Sequence, residues 1–286
     1  MSTPRVAAIH DLSGFGRCSL TVVIPVLSAM GVQCCPLPTA FLSTHTGGFE
    51  GFTFLDMTEE MPRVAYHWKS LGLRFDAIYS GFLGSERQIG MVADFIRDFR
   101  TENTLVVVDP VMGDEGRAYQ TYTPAMCAGM EQLAELADVI TPNLTEAAFL
   151  LGREYTELPG GGVRSPYDET ALRQLAEELS LGGRRSVALT GASLTPGQTG
   201  AMCFDAGTGR TVAVQTGFVA HPLHGTGDVF ASVLTGGLVQ GRTLAEAAQE
   251  AVDFIHACAE RTTAQNLPVR EGVDFEPLLH RLTRGN

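Results

Sequence analysis

The chain has 286 residues, of which 44% are hydrophobic and 18% charged, and its formal net charge is −12. This composition is typical of a globular protein with a large hydrophobic core, and the acidic balance disfavours a nucleic-acid surface, which needs clustered Lys and Arg. No signal peptide, membrane span or disulfide framework is predicted, so we expect a cytoplasmic protein with reduced thiols and neither a nucleic-acid nor a membrane partner.

The first part of the chain alternates short apolar strands with helical patterns. Strands are predicted at 5–9, 32–37, 76–80 and 105–108, and helices at 19–30, 58–71 and 86–99. Residues 39–54, rich in Gly, Thr and His, are predicted to form a loop. Glu59 and Glu60 would lie in the first turn of the helix at 58–71, where the helix dipole favours acidic side chains.

The second part of the chain continues this alternation. Helices are predicted at 124–136, 143–151, 168–181 and 275–282, strands at 138–140 and 186–189, and a hairpin at 200–205 and 211–215. The glycines of 158–165 indicate a flexible loop. After residues 224–228, apolar residues at helical spacing run from Phe230 to Leu238 and predict a helix that Gly241 ends, and Thr243 and Glu246 form a capping box that starts the next helix.

Strands that alternate with helices along the whole chain predict a parallel sheet with helices on both faces. We therefore expect an α/β fold of three layers, α/β/α, with a mostly parallel central sheet. No linker interrupts the alternation, so the sequence predicts a single domain over residues 1–286.

Polar or aromatic side chains follow five of the predicted strands. They are Asp11 with Ser13, Phe82, Asp109, Thr141 with Asn143, and Thr190 with Gly191. In open parallel sheets, ligands bind outside the carboxyl ends of the strands. The predicted sheet therefore brings these scattered residues to one crevice.

Residues 224–228, with the sequence HGTGD, precede a helical pattern and would complete this crevice. The glycines leave backbone N–H groups of the first helical turn bare, and a helix N-terminus of this kind binds anions such as phosphate. Asp228 would repel a phosphate unless it accepts the proton of an attacking group, and near the helix N-terminus we expect its carboxylate to stay ionised at neutral pH. Residues 217–223 are a candidate lid.

Each candidate residue also has a purely structural interpretation. The alternatives are an N-cap for Thr226, a dipole-stabilised acid for Asp228, a capping pair for Asn143 and Glu146, a strand-end turn for Asp109, a core position for Phe82 and a locally bonded ring for His45. Asp11 has no obvious capping role, because it directly follows a predicted apolar strand.

Asp109 and Glu146 are the candidate metal ligands. Both lie at the predicted sheet edge, and Mg²⁺ binds to one or two carboxylates together with phosphate oxygens. Because the protein is acidic, a polyanionic ligand would need a metal ion and local dipoles. The sequence contains no P-loop, no HRD or DFG motif and no GxGxxG after the first strand.

Four motifs together resemble the pyridoxal kinase branch of the ribokinase-like superfamily. They are YSGFLGS at 79–85, VDPVMG at 108–113, ITPN with Glu146 at 140–146, and GTGD at 225–228. The sequence LSTHT at 42–46 is similar to the SNHT segment of that branch. The motifs occur in order, so the resemblance covers nearly the whole chain.

The resemblance implies a ribokinase-like homodimer that uses ATP to phosphorylate the 5′-hydroxymethyl group of a B6 vitamer. It implies that Asp228 is the base and that Gly225, Thr226 and Gly227 form the anion hole. Carried over by position, it assigns Mg²⁺ to Asp109 and Glu146, ATP to Asn143, Glu146, Thr190, Gly191, Gly225 and Gly227, and the substrate to Asp11, Ser13, His45, Thr46 and Phe82.

Two positions depart from the pyridoxal kinase pattern. Pyridoxal kinases carry Ser where Asp11 stands and often Tyr where Phe82 stands. Residues 11–14, DLSG, resemble instead the DPSG start of hydroxymethylpyrimidine kinases, which usually have Cys in place of Asp228. A hydroxymethylpyrimidine kinase of thiamin synthesis is therefore one alternative, and a non-catalytic B6- or nucleotide-binding protein of the same fold is another. A protein that only binds has no need of a carboxylate opposite a phosphate.

Overall fold

A central sheet organises the structure, a computed structural model that describes residues 2–119, 121–159, 166–220 and 223–283. Within these residues, nine strands form one sheet, and two short strands form a separate hairpin. In chain order the strands are β1 (Arg5–Ser13), β2 (Gln33–Leu42), β3 (Phe54–Asp56), β4 (Ala77–Ser80), β5 (Leu105–Val108), β6 (Gly113–Asp114), β7 (Arg117–Ala118), β8 (Val139–Ile140), β9 (Ser186–Thr190), β10 (Gln198–Asp205) and β11 (Arg210–Gly217).

The strands of the large sheet follow the order β11-β10-β9-β8-β5-β4-β1-β2-β3. From β9 to β2 each strand runs parallel to its neighbour. The strands β10, β11 and β3 are antiparallel to the strands beside them. The mostly parallel central sheet predicted from the sequence is confirmed.

Helices cover both faces of the sheet. They are α1 (Leu20–Ala29), α2 (Met61–Ser70), α3 (Glu86–Phe99), α4 (Pro124–Ala134), α5 (Leu144–Leu150), α6 (Glu169–Leu179), α7 (Thr226–Val239) and α8 (Leu244–Ala264). The buried side chains of α1, α7 and α8 belong to one hydrophobic cluster, and those of α2 to α6 belong to another. The expected three-layer α/β/α fold is confirmed.

The two hydrophobic clusters meet across the sheet because successive side chains of a strand point to opposite faces. In β1, Ala7 and Ile9 pack in the cluster with α2 to α6, whereas Val6 and Ala8 pack in the cluster with α1, α7 and α8. A strand that is covered on both faces needs a continuous apolar run. This is why β1 and β5 were recognisable from their sequences.

Helix ends follow the local sequence signals. The Thr243 hydroxyl accepts a hydrogen bond from the Glu246 N–H (3.3 Å), and the Glu246 carboxylate accepts one from the Thr243 N–H (2.9 Å). The predicted capping box of α8 is therefore confirmed. Gly241, which follows α7, has φ +83°, the left-handed conformation expected of a glycine after a helix.

The strand β1 extends further than the prediction, which ended it at residue 9. Leu12 pairs with Phe41 and Ser13 with Leu42, after a register irregularity between His10 and Leu12. Asp11 therefore lies inside a strand rather than after it. The prediction of a loop at 39–54 is correspondingly wrong at both ends, because β2 continues to Leu42 and β3 forms at its edge.

Two predicted helices differ from the structure at proline residues. The helix predicted at 58–71 begins only at Met61, because Pro62 has no N–H to donate to the carbonyl of Thr58. Glu59 and Glu60 consequently precede the first turn instead of lying in it. Near the C-terminus, Pro277 lies in the first turn of a 3₁₀-helix, Glu276–Arg281, where an α-helix was predicted.

The remaining predicted segments lie at the edges of the molecule. β10 and β11 form the predicted hairpin, with Asp205 opposite Arg210 beside an exposed turn. Residues 160–165 of the predicted glycine-rich loop and residues 221–222 of the candidate lid lie outside the described part. Among the helices of the described residues, none is both long and apolar enough to cross a membrane.

Candidate active site

Three carboxylates from separate parts of the chain meet at the carboxyl edge of the parallel strands. Asp11 lies near the end of β1, Asp109 directly follows β5, and Asp228 lies in the first turn of α7. The charges of Asp109 and Asp11 both raise the pKa of Asp228, so each of these two carboxylates lies close enough to Asp228 to repel its charge. The structure thus brings together residues that the sequence placed in one crevice.

Gly225 forms the turn that leads into α7. It is the N-cap residue, its φ is +80°, and no side chain caps the helix. A Cβ at this position would lie 2.1 Å from the carbonyl oxygen of Arg17, so both conformation and space require glycine. Thr226 is the first helical residue, and the N-cap alternative for it is therefore wrong. The first turn of α7 keeps free N–H groups at the crevice, as an anion site requires.

The Asp228 carboxyl has a pKa raised to about 7. Burial is the largest cause, and repulsion from Asp109 and Asp11 adds to it. The backbone N–H of Ser19 opposes the shift, because it interacts with the ionised form. The expectation that Asp228 is fully ionised at neutral pH is therefore wrong for the protein alone. A group of this pKa is well matched to accepting a proton near pH 7.

Asp109 is oriented by a hydrogen bond from the next strand end. The Thr141 hydroxyl donates to Asp109 Oδ1 at 2.9 Å, and burial raises the pKa of Asp109 to about 7. The Asp109 carbonyl also accepts a hydrogen bond from the Val111 N–H (2.9 Å), which closes a tight turn. The turn alternative is thus confirmed for the backbone, while the carboxylate remains directed to the crevice residue Thr141.

Glu146 and Asn143 form a complete capping box at the start of α5. Glu146 Oε2 accepts the Asn143 N–H (2.9 Å), and Asn143 Oδ1 accepts the Glu146 N–H (2.9 Å). Glu146 Oε1 also accepts the Met112 N–H (3.2 Å), and the Asn143 amide donates to the Gly113 carbonyl (2.9 Å). The structural interpretation of this pair is confirmed. The capping bonds leave each Glu146 oxygen with a further lone pair.

Asp109 and Glu146 are chemically suited to a divalent cation. Burial raises the pKa of Glu146 well above its ordinary value, and repulsion from Asp109 raises it further. A cation between two such carboxylates would relieve their repulsion and favour their ionised forms. Within the described ranges there is no group of three or more His, Cys, Asp or Glu residues arranged for a metal. A Mg²⁺ ion here would complete its coordination with water and ligand oxygens.

Asp11 and Ser13 form a second polar pair at the end of β1. The Ser13 hydroxyl donates to Asp11 Oδ2 at 2.9 Å, and both residues are buried. Burial raises the pKa of Asp11, and hydroxyl groups of Ser19 and Ser13 partly offset this effect. The pair can accept a hydrogen bond or a positive charge from a bound molecule.

His45 and Thr46 are the next candidate substrate residues. His45 Nδ1 accepts the Gly47 N–H (3.0 Å) and Nε2 lies 2.6 Å from the Arg270 carbonyl oxygen, so both ring nitrogens have backbone partners. The locally bonded alternative for His45 is thus confirmed. Thr46 is exposed.

Phe82 is half-buried and packs edge-on against the ring of Tyr122 at 6.0 Å. It contacts the hydrophobic cluster of α2 to α6, as the core alternative expects, while it also borders the carboxyl end of β4.

Thr190 and Gly191 lie where β9 ends, next to the start of α5. The Thr190 N–H and hydroxyl both point to the Pro142 carbonyl oxygen, at 2.8 and 3.3 Å. Gly191 is exposed with φ +74°, and a Cβ there would meet no atom within 4 Å. This end of β9 is therefore open to a ligand that also contacts the Asn143 side of the crevice.

Sequence reasoning missed the loop that joins β1 to α1. The sequence pattern predicts Ser19 only as the start of a helix, but in the structure it has φ +49° and its N–H faces Asp228. Burial raises the pKa of the Cys18 thiol, and the charges of Asp228 and Asp11 raise it further. Cys18 therefore lies close to the same carboxylates. A serine in the left-handed backbone conformation gives no recognisable signal in the sequence. The glycines at 14 and 16 were the available signal for an irregular loop here.

The basic side chain of Lys69, the only lysine in the sequence, lies away from the crevice. It is on α2 and binds Asp98 of α3, with an Nζ–Oδ1 distance of 2.6 Å. Asp98 is near the end of α3, which leads into the amino end of β5. The sheet therefore separates Lys69 from the Gly225 turn, so this cation is not available to an anion bound at the turn.

Comparison with known proteins relates this chain to a family of kinases. The model of the phosphomethylpyrimidine kinase family matches residues 24–272. A hydroxymethylpyrimidine/phosphomethylpyrimidine kinase of Haemophilus influenzae is 33% identical over 204 residues, which cover 70% of this chain and 68% of that protein. The chain spans only 34% of the length of the thiamine biosynthesis bifunctional protein ThiED of Geobacter sulfurreducens, with 33% identity.

Solved structures of similar sequence have the same fold. One is a "putative phosphomethylpyrimidine kinase" of Bacteroides thetaiotaomicron, in a crystal form with pyridoxal, which is 43% identical. The match covers 98% of this chain and 96% of that one, with a TM-score of 0.90. The pyridoxal kinase of Lactobacillus plantarum is 31% identical, with a TM-score of 0.88 over 98% of this chain and 97% of that one.

These similarities confirm the resemblance to ribokinase-like kinases that the motifs indicated. Among the matching proteins are both pyridoxal kinases and phosphomethylpyrimidine kinases, and the solved structures of both kinds share the fold of this chain. The chain belongs to the phosphomethylpyrimidine kinase family and is a phosphotransferase with an alcohol group as acceptor.

Proposed function

We propose that this protein uses MgATP to phosphorylate the 5′-hydroxymethyl group of pyridoxal, pyridoxamine or pyridoxine. The observation that carries the proposal is Asp228, a carboxylate of pKa about 7 beside the bare first turn of α7. The similarity to the Bacteroides thetaiotaomicron protein crystallised with pyridoxal supports the choice of a B6 vitamer.

The reaction needs a site for the transferred phosphoryl group and a base for the attacking hydroxyl. The backbone N–H groups of Gly225, Thr226 and Gly227 are the proposed anion hole, because a helix N-terminus stabilises negative charge. Asp228 accepts the hydroxyl proton as the new O–P bond forms and the bond to the β-phosphate oxygen of ATP breaks. The transition state is loose, so positioning and charge neutralisation supply most of the rate.

The metal and nucleotide sides of the site are assigned to the adjoining strand ends. Asp109 and Glu146 would hold Mg²⁺, which neutralises phosphate charge when it is bound. Asn143, Thr190 and Gly191 would border ATP. Asn143 Oδ1 accepts the Glu146 N–H and its amide donates one N–H to the Gly113 carbonyl, which leaves the second amide N–H and one Oδ1 lone pair for a contact with ATP.

The substrate side is assigned to the end of β1 and the neighbouring loops. Its proposed residues are Asp11, Ser13, His45, Thr46 and Phe82. The Asp11–Ser13 pair offers hydrogen-bond acceptors to a donor group of the ring, and the half-buried Phe82 offers an apolar edge. Since both His45 nitrogens have backbone partners, its contribution is to shape the pocket.

A second candidate is phosphorylation of a hydroxymethylpyrimidine, and Asp11 is the observation that favours it. A buried carboxylate is a good partner for the amino group of an aminopyrimidine. The kinase of Haemophilus influenzae described above supports this candidate. Both substrates are heteroaromatic alcohols, so the same catalytic groups serve either reaction.

Measurement of ADP release with each alcohol tests the proposal. The panel contains pyridoxal, pyridoxamine, pyridoxine and 4-amino-5-hydroxymethyl-2-methylpyrimidine, each with MgATP, and Asp228→Asn is the control for contaminating kinases. A kcat/KM that is highest for a B6 vitamer supports the proposal. A value that is highest for the pyrimidine establishes the second candidate, and no ADP release with any alcohol refutes both.

We also propose that the chain forms a homodimer of single-domain subunits. The support is the resemblance to pyridoxal kinases and the continuous sheet from β11 to β3. Sedimentation equilibrium measures the mass in solution, and coincident thermal transitions by circular dichroism and by fluorescence report one cooperative unit. A monomeric mass would contradict the homodimer, and two separate thermal transitions would contradict the single domain.

A further inference from the structure

The C-terminal segment 269–276, here called the C-terminal strap, crosses the loops that form the crevice. It makes backbone contacts with three of them. They are His45 Nε2 to the Arg270 carbonyl (2.6 Å), the Arg17 N–H to the Glu271 carbonyl (3.1 Å), and the Val273 N–H to the His224 carbonyl (3.2 Å). The strap thus joins the loop after β1 to the turn before α7.

The side chain of Arg17 fastens this arrangement by ion pairs. Its Nε lies 2.9 and 2.8 Å from the two carboxylate oxygens of Glu276, and its Nη2 lies 3.1 Å from Asp274 Oδ1. Asp274 is buried, with 8% of its side chain exposed, and it also binds Arg261 of α8 (2.7 Å). Its N–H donates to the Thr262 hydroxyl (2.8 Å), so Arg17 is tied through Asp274 to α8.

The backbone of Arg17 lies between two glycines. A Cβ on Gly225 would be 2.1 Å from the Arg17 carbonyl oxygen, and a Cβ on Gly272 would be 2.8 Å from the same atom. Both glycines have positive φ, +80° and +81°. Because this oxygen is in close contact with both the Gly225 turn and the Gly272 segment, a displacement of Arg17 must displace the Gly225 turn or open a gap beside it.

Arg17 also precedes Ser19 by two residues, and the Ser19 N–H faces the Asp228 carboxylate. Ser19 has φ +49°, a conformation that a non-glycine residue keeps only when its surroundings hold it there. The Arg17 ion pairs restrain this loop from the side of the C-terminal strap. They therefore act on both the anion hole and the proposed base.

We propose that Arg17, held by Asp274 and Glu276 of the C-terminal strap, is a positioning residue that holds the Gly225 turn and Asp228 in their reactive arrangement. The inference rests on the proposed function, because that function gives Gly225 and Asp228 their roles. Arg17 precedes residues 24–272, the range that the family model matches, and the strap extends beyond it.

The variant Arg17→Met tests the role in catalysis. It keeps an unbranched side chain and removes all three ion-pair contacts. We expect kcat to fall about 3- to 30-fold, with KM for ATP and for the alcohol within about twofold of wild type, because the geometry of transfer is lost rather than ground-state binding. Arg17→Lys keeps one charge without the forked geometry and should recover part of the kcat.

Arg100→Met is the matched control for lost stability. Arg100 binds Asp138 and donates to the Leu136 carbonyl (2.7 Å). The exposed fractions of these two side chains are 39% and 34%, compared with 24% for Arg17 and 49% for Glu276. This pair lies at the amino end of β8, opposite the crevice. We expect Arg100→Met to lower Tm without changing kcat. An equal loss of kcat in Arg17→Met and Arg100→Met would overturn the positioning role.

Hydrogen exchange measured without substrates gives a readout that does not depend on activity. Peptides that cover 14–20 and 223–230 should exchange faster in Arg17→Met than in wild type, and at wild-type rates in Arg100→Met. Unchanged exchange of both peptides in Arg17→Met would overturn the inference whatever the kinetics. Wild-type inactivity on every alcohol would instead refute the proposed function, so the two failures are distinguishable.

Discussion

The Asp109 carboxylate raises the pKa of Asp228, although the two residues belong to β5 and α7 and are 119 positions apart in the chain. Burial contributes most to both shifts, and each group reaches a pKa of about 7. Two neighbouring acids in this state are poised to release protons when a cation arrives. The relationship therefore links metal binding to the ionisation of the proposed base.

Replacement of Asp228 by Asn tests its role as the base. The variant keeps the shape of the side chain and removes the proton acceptor, and loss of a general base typically lowers kcat by about 10²- to 10⁴-fold. ATP affinity should be retained or slightly increased, because repulsion of the phosphates is relieved. The measurement is kcat for the alcohol together with calorimetric titration of MgATP. A nearly normal kcat would identify Asp228 as a residue that only starts a helix.

The dependence of stability on pH tests the raised pKa values of Asp109 and Asp228. In the unfolded chain each carboxyl titrates near its ordinary value of 3.8, and in the folded chain near about 7. Between these values the folded protein binds more protons than the unfolded chain, so its free energy of unfolding falls as pH rises.

We expect the metal-free Tm to decline from about pH 4 to about pH 7, and Asp109→Asn to reduce this decline. Mg²⁺ should restore stability mainly at the upper end of the range, where the acids would be ionised by the cation. Differential scanning fluorimetry in a pH series measures both effects. An identical pH profile in wild type and in Asp109→Asn would contradict the raised pKa of Asp109.

Asp109→Asn also tests the proposed metal site. Removal of Mg²⁺ with a chelator should abolish turnover, because no nearby lysine compensates the charge of the triphosphate. The variant should need more Mg²⁺ for half-maximal activity, since one of two carboxylates is lost. A Mg²⁺ titration at fixed ATP measures this. Asp98→Asn, on the Lys69 side of the molecule, is the control, and a titration curve shared by all three proteins would make Asp109 structural only.

Asp11→Ser tests the substrate side of the crevice. The Asp11 carboxylate favours a ligand with a cationic or donor group, such as pyridoxamine or an aminopyrimidine. The substitution should therefore move the ratio of kcat/KM toward pyridoxal and away from pyridoxamine. The ratio is measured with both vitamers in parallel, and an unchanged ratio would remove Asp11 from the specificity argument.

The fold was predictable because its strands and helices carry strong local signals. The run at Leu105–Val108 and the helix Glu86–Phe99 have the same bounds in the prediction and in the structure. The predicted bounds are wrong where strand pairing or a proline residue determines where an element begins. β3 has three exposed residues and exists through its pairing with β2, which no local pattern records. The start of α2 follows from the missing N–H of Pro62.

The site was predictable at the strand ends and not in the loop between β1 and α1. A parallel sheet brings Asp109 and Asp11 together whatever the loops do. The Arg17–Asp274 pair joins positions at opposite ends of the chain, and its partners are set by packing in three dimensions. The raised pKa of Asp228 likewise depends on burial and on the neighbouring charges, which sequence alone does not supply.

The remote position of Lys69 has a chemical consequence under the proposed function. Pyridoxal and its phosphate are aldehydes, and aldehydes form Schiff bases with the amino groups of lysine side chains. The chain offers one such amine, which is held by Asp98 on the far side of the sheet. Under the proposed function, an aldehyde product formed at the crevice would meet no lysine side chain there, and a Schiff base at Lys69 would lie across the sheet from the Gly225 turn.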